Sequence, residues 1–195
     1  GFEIFIGGAM RNPFLKSQNY NIGGSKLDSG FDDIIHKLMN DFRDKIHIPV
    51  DVRVGEMKSK DKQKVSNLRY VNFLKNEEIH ANEEALDNGP ETMKLYKEKI
   101  EQKGIKTMLA NGPFGLIENR SFRFGTYQVA RIFLENEQAF RVYGGGEVNH
   151  GFNLFSKEFK IDAEKLGDQC NAGNGMLQYI ANEGDLPGLR ALSCR

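Results

Sequence analysis

This chain has no tryptophan, only two cysteines, five prolines and no excess of charge of either sign. Each shortage excludes something. With 27 Lys and Arg against 27 Asp and Glu, there is no basic field to draw in nucleic acid and no acidic tail. No run approaches the roughly 18 apolar residues that a bilayer-spanning helix needs, so no membrane partner is expected. Cys170 and Cys194 form neither a disulfide framework nor a metal spacing, which makes a reducing cytoplasm the expected compartment. The histidines His36, His47, His80 and His150 are dispersed, and no HExxH occurs. Glu78, His80 and Glu83 could bracket a metal, but their setting reads as a solvated loop. No serine sits in a nucleophile elbow and neither cysteine has an activating partner, so covalent catalysis has no visible agent.

What the chain does have is glycine at particular junctions. A short apolar run ends in glycines where a helical pattern begins at Ile4-Phe5-Ile6-Gly7-Gly8, Phe140-Arg141-Val142-Tyr143-Gly144-Gly145-Gly146 and Cys170-Asn171-Ala172-Gly173-Asn174-Gly175. Met108-Leu109-Ala110-Asn111-Gly112-Pro113-Phe114-Gly115 has the same form with a longer loop. Strand, glycine turn, helix leaves unpaired backbone N–H groups at the positive end of a helix, where phosphate binds. Several such turns point to a nucleotide-binding sheet.

The 195 residues suit one domain. Residues 2–7 read as a buried strand almost from the first residue, without an initiator Met or a signal-peptide pattern, so a piece of a longer chain is expected. A short helix follows near Ala9–Ser17 with Pro13 in its first turn. Phe31, Ile34, Ile35, Leu38, Met39 and Phe42 form one apolar helical stripe, which Asp28 or Ser29 would cap. His47–Val54 alternates as one strand. Residues 55–85 are the least regular, with a solvated hairpin tip at Lys58–Lys64 and an antiparallel edge strand at Leu68–Phe73. Gly89-Pro90-Glu91 opens a helix lined by Met93, Tyr96 and Ile100. Strands at Ile105–Ala110, Ala139–Tyr143 and Leu166–Asn171 then alternate with helices at Phe122–Asn136, Glu147–Lys157 and Gly175–Asn182, and Pro187-Gly188 breaks into a tail. The pattern implies an α/β, three-layer, Rossmann-like domain: a mostly parallel sheet with helices on both faces.

Gly144-Gly145-Gly146-Glu147 is the sharpest local signal. It reads either as phosphate on the N–H groups with Glu147 holding Mg²⁺ or a water, or as a tight turn whose acid complements the helix dipole. Gly173-Asn174-Gly175 poses the same choice. In Asn111-Gly112-Pro113-Phe114-Gly115-Leu116-Ile117-Glu118, the Asn amide can meet phosphate or sugar oxygens and the Glu can accept both ribose hydroxyls; the other reading is a rigid loop. No Walker lysine follows the triple glycine, and the third glycine of a dinucleotide fingerprint is missing.

Together these residues resemble the carboxy-terminal half of phosphoglycerate kinase. The blocks occur in the family's order: Gly7-Gly8; Phe14-Leu15-Lys16 with Ile22-Gly23; Pro49-Val50-Asp51-Val52; Leu86-Asp87-Asn88-Gly89-Pro90-Glu91-Thr92; Asn111 to Glu118; Phe124-Gly125-Thr126; Gly144-Gly145-Gly146; Gly173-x-Gly175; and Leu186-Pro187-Gly188-Leu189. The lack of Trp and the Asn12-Pro13-Phe14-Leu15 wording are similar to archaeal members. The resemblance implies reversible phosphoryl transfer between ATP and 3-phosphoglycerate in glycolysis, by a cytoplasmic, monomeric enzyme that uses Mg²⁺. It implies that Gly7, Gly8, Leu86 and Leu116 line the adenine pocket, that Asn111 touches the nucleotide and that Glu118 holds the ribose. Gly144, Gly145, Gly146, Glu147 and Val148 would meet the phosphates, with Glu147 as metal ligand. Gly146, Gly173 and Gly175 would stabilise the group in flight. The family's amino-terminal substrate domain, which holds 3-phosphoglycerate, and its first strand–helix unit are not in this sequence. Glu147 replaces an Asp, Val148 a Thr, and Ala172-Gly173-Asn174-Gly175 a Thr-Gly-Gly-Gly, which suggests as an alternative a nucleotide-binding member that has lost catalysis and regulates or binds.

Overall fold

Proline and glycine mark several of the places where the strands of this chain stop. A computed structural model describes residues 1–27, 30–57, 62–171 and 174–182. They fall into two compact units, one of Gly1–Gly104 with Pro113–Val129, the other of Ile105–Gly112 with the described residues from Ala130 onward.

The first unit begins with β1 (Ile4–Phe5), a 3-10 turn at Gly8–Met10, α1 (Arg11–Ser17) and α2 (Asp32–Asp41). The expected strand over 2–7 is thus shorter, with Phe2 and Ile4 exposed and Ile6 buried. The α2 stripe is only half used: Ile35 and Met39 are buried, while Phe31 and Ile34 stay exposed. Its expected caps, Asp28 and Ser29, lie outside the described residues.

The single strand expected over His47–Val54 is two. Pro49 has no N–H to give a ladder, and the chain divides into β2 (Ile46–His47) and β3 (Asp51–Met57). Strand β2 pairs parallel with β1, whereas β3 is the centre of an antiparallel sheet in the order β4-β3-β5. Here β4 (Val65–Asn72) is the expected edge strand and β5 (Glu84–Asn88) is one the sequence pattern did not show. Helix α3 (Pro90–Lys103) starts on Pro90 and buries Met93, Tyr96 and Ile100, as its spacing requires. Each such side chain contributes roughly 1.5–3 kcal/mol of apolar burial. Leu15, Val52, Val54, Val71, Phe73, Ile79 and Ala85 make one core cluster, and Ile6, Phe14, Ile35, Met39 and Ile46 a second.

In the second unit β6 (Thr107–Asn111), β7 (Phe140–Gly144) and β8 (Asp168–Cys170) form a parallel sheet in that order. Helix α4 (Phe124–Glu135) leads into it, α5 (Gly146–Phe159) follows β7, and α6 (Asn174–Ala181) follows β8. Phe152 sits at the centre, edge-on to Phe133 at 5.4 Å and against Tyr143 at 4.5 Å. The chain is α/β with parallel sheets flanked by helices, as the alternation implies, together with the one antiparallel sheet around β3. No helix among the described residues is long and apolar enough to cross a membrane.

Candidate functional site

In the first unit the structure brings Gly7, Gly8, Leu86, Leu116 and Glu118 onto neighbouring pieces of backbone. The Gly8 amide donates to the Phe114 carbonyl at 3.1 Å, and the Leu116 amide to the Leu86 carbonyl at 2.9 Å. The glycine pair has a packing reason of its own. A Cβ at Gly7 would overlap the Phe114 ring, and one at Gly8, whose φ is 59°, would lie 2.5 Å from the Pro113 carbonyl oxygen. The loop after Gly112 therefore lies directly on the first glycine turn. Leu86 is buried and Leu116 half-buried.

Three buried polar residues, which sequence reasoning passed over, hold this arrangement. Arg11 is 2% exposed and donates to Asn88 Oδ1 and the Phe114 carbonyl, each at 2.9 Å, and to the Ala85 carbonyl at 2.8 Å. Burial lowers its pKa to about 10, against the pull of Asp87 and Tyr96. Asn88 in turn donates to the Ile6 carbonyl at 3.1 Å. Asp87, also fully buried, accepts from the Gly125 and Asn88 amides. A usable signal existed: glycines at 115 and 125 are needed because a Cβ at either would collide with Asp87.

Glu118 is half-buried at the rim of the same loop. Lys62, from the turn between β3 and β4, pairs with its carboxylate, and Gln63 donates to its carbonyl. Asn119 Nδ2 returns the contact to the Lys62 carbonyl at 3.0 Å. The part of the hairpin tip at 58–61 lies outside the described residues, but Lys62 is committed to an ion pair rather than simply solvated. Glu83, from the Glu78-His80-Glu83 stretch expected as a solvated loop, is instead buried and held by Arg69 at 2.6 and 2.7 Å. That pairing keeps its carboxyl below the usual range.

In the second unit Asn111 ends β6, exposed, and Gly112 has φ 85° with open space where a Cβ would go. Gly144, Gly145 and Gly146 turn from β7 into α5. Gly145 carries φ 107°, a conformation L-residues rarely adopt. The first intrahelical bond runs from Asn149 N–H to the Gly145 carbonyl at 3.0 Å. The amides of Gly146, Glu147 and Val148 therefore stand outside the helical ladder, at the positive end of the dipole. Gly146 is exposed and a Cβ there would touch nothing, so the protein's own packing does not require glycine at that position. Glu147 is exposed beside it; Val148 is 1% exposed, with its side chain in the core. Asn149, a further residue the sequence reading did not single out, ties the turn to β8 through the Cys170 carbonyl and Asn171 Oδ1, both at 3.1 Å. Gly175 is half-buried in the first turn of α6, and Gly173 lies outside the described residues.

Among the described residues there is no group of three or more His, Cys, Asp and Glu that could hold a metal by itself. A lone exposed carboxylate at an open helix start suits Mg²⁺, which takes one or two carboxylates and completes its shell with water and phosphate oxygens. The second unit thus offers an anion seat with one acid beside it, and the first offers closely packed glycine and leucine backbone edged by one acid.

The profile of the phosphoglycerate kinase family matches residues 2–180. A phosphoglycerate kinase of Staphylococcus aureus (strain N315) is 31% identical over 191 residues, covering 98% of this chain and 44% of that protein. The solved phosphoglycerate kinase from Coxiella burnetii superposes with a TM-score of 0.77 at 27% identity, over 94% of this chain and 44% of its own. The one from Pyrococcus horikoshii OT3 gives 0.73 at 23% identity over 96% of this chain and 44% of its own, a likeness of fold alone. The chain therefore spans less than half the length of these relatives.

Proposed function

This chain belongs to the phosphoglycerate kinase family, and from that premise we propose that it is the carboxy-terminal, nucleotide-binding part of a kinase that moves phosphate reversibly between ATP and 3-phosphoglycerate. The observation that carries the reading is the β7–α5 junction: a glycine-only turn, three amides outside the helical ladder, and open space at Gly146. In this reading the apolar edges at Gly7, Gly8, Leu86 and Leu116 take the adenine. Glu118 accepts from the ribose hydroxyls, exchanging its contact with Lys62. Asn111 donates to the nucleotide, and the amides of Gly146, Glu147 and Val148 take the phosphates. Glu147 would hold Mg²⁺, which when bound neutralises charge on the phosphate oxygens. The chain's own part in transfer is positioning and electrostatic: preorganised amides at Gly146 and Gly175 stabilise charge on the group in flight, with no protein nucleophile. The remaining machinery, including the seat for 3-phosphoglycerate, belongs to the other part of a full-length enzyme, which we place in the cytoplasm as a monomer acting on small molecules in glycolysis.

Titration of the 195-residue chain with MgADP by calorimetry, with NAD as control, tests the reading. Saturable MgADP binding that Glu118→Ala weakens about tenfold, equivalent to about 1.4 kcal/mol, is the expected result. A folded chain that binds no MgADP, or binds it equally well after the substitution, overturns it. The buried Val148 supports a second reading, a binding module without turnover, because that position presents an amide and no hydroxyl. Glu147→Asp with Val148→Thr in the full-length protein decides between them: a large gain in kinase activity marks a weakened enzyme, and no gain marks a lost one.

A further inference from the structure

Asp87 lies beneath the Pro113–Glu118 loop, against Gly115, and is bonded to the start of α4. Its two carboxylate oxygens accept from the Gly125 amide at 3.0 and 3.2 Å, and Oδ1 also accepts from the Asn88 amide at 2.9 Å. The backbones of Gly115 and Gly125 close over it so tightly that neither could carry a side chain. The next residue, Thr126, accepts through Oγ1 from the amides of Phe114 at 3.0 Å and Gly115 at 3.4 Å. Arg11 holds the Phe114 carbonyl from the opposite side. The loop, β5 and the start of α4 are thus one clamp built around a single dry carboxyl group.

The charged groups that act on Asp87 are Arg11 from α1 and Arg53 from β3, with Tyr96 of α3 facing Arg11 in turn. Among the described residues neither arginine forms an ion pair with it: Arg11 is bonded to Asn88, Phe114 and Ala85, and Arg53 to the Ser121 carbonyl.

We propose that Asp87 is a positioning residue for the Pro113–Glu118 loop, holding it through the Gly125 amide and Thr126, with the firmness of the grip set by whether its carboxyl carries a proton. Burial outweighs the Gly125 amide and the two arginines and pushes the group up to about 7. Any opening that hydrates Asp87 restores an ordinary carboxylate, so opening releases a proton. The clamp is firmest with Asp87 neutral and loosens as pH rises toward 7, with no further change above it. The consequence for ligand binding rests on the nucleotide reading given above; the clamp itself does not.

Amide hydrogen exchange of the ligand-free 195-residue chain, corrected for intrinsic rates, tests the clamp. Protection at Phe114, Gly115 and Gly125 should fall about tenfold between pH 5.5 and 6.5 and level off above pH 7.5. Asp87→Asn should remove that step. A wild-type profile without the step, which needs no variant to fold, overturns the proposal, as does a step that persists unchanged in Asp87→Asn. Repeating the measurement with MgADP separates the two claims. Slowed exchange at the same amides supports the loop as the nucleotide's, whereas unchanged exchange beside an intact pH step refutes the nucleotide assignment and leaves the clamp standing.

Discussion

Replacing Asp51 with alanine removes a helix cap that comes from a strand rather than from the helix's own flank. The N-cap of α3 is Gly89, which has no side chain to offer. Asp51, 3% exposed on β3, does the work instead, accepting from the Glu91 amide at 3.1 Å, the Thr92 amide at 2.7 Å and the Thr92 hydroxyl at 2.6 Å. The hydroxyl keeps a second acceptor in the Asp51 carbonyl at 2.8 Å, so it drops out of the loss. Loss of a helix cap costs about 1–2 kcal/mol, and a buried amide left without an acceptor about 1–3 kcal/mol. Because the two overlap at Thr92, about 3 kcal/mol is the expected total. At roughly 2–4 °C per kcal/mol for a chain of this size, the melting temperature should fall by roughly 6–12 °C. Asp51→Asn keeps one acceptor and should lose about a third as much. Thermal and urea unfolding followed by circular dichroism give the totals, and exchange at the Glu91 and Thr92 amides locates the effect. A loss below about 1 kcal/mol with the Thr92 amide still protected would refute the capping argument.

Two further outcomes follow from other contacts. Glu3 is held at about 2, chiefly by its hydrogen bond from His47 at 2.8 Å, with Lys103 and Lys45 adding to it. A lowered carboxyl stabilises above the ordinary carboxylate range, and that stability is lost as pH falls toward 2. Glu3→Gln should therefore flatten the acid limb of the melting-temperature profile between pH 4.5 and 2; an unaltered acid limb would count against it. At the β7–α5 turn the neighbouring glycines should part company. Gly145→Ala forces a side chain into φ 107° and should cost about 1–2 kcal/mol in urea unfolding. Gly146→Ala meets no protein atom and should leave stability within about 0.5 kcal/mol while weakening MgADP several-fold. Equal effects of both on stability would contradict the geometry.

The helix of Met93, Tyr96 and Ile100 was legible because its start is marked twice, by Pro90 and by a period of three and four. The glycine-to-helix junction after Tyr143 was legible for the same reason, since strand, turn and helix each leave a separate mark. Strand β5 was hidden: Glu84-Ala85-Leu86-Asp87-Asn88 is buried along most of its length, and its acid and amide read as loop until Gly125 and Arg11 supply their partners. The break at Pro49 was written in the sequence but masked by the alternation around it. Lys62 shows the other limit. A lysine in a polar hairpin looks solvated, and only the fold brings Glu118 within its reach. Burial of Arg11 could not be read locally, because its acceptors lie on β5 and beyond α3.

That separation has a consequence for how the protein is made. Arg11 is bound to Asn88, 77 positions on, and to Phe114, 103 positions on. The first unit is also interrupted, since Ile105–Gly112 belongs to the second. On a ribosome adding residues one by one from the amino end, the guanidinium must wait, hydrated and unpaired, while roughly a hundred residues are added, about 5–20 s of synthesis. The first unit cannot close until Pro113–Val129 has been made, after a strand of the second has already emerged. It closes late, so a nascent chain stalled before Thr126 would still carry an unsealed interior for chaperones to find.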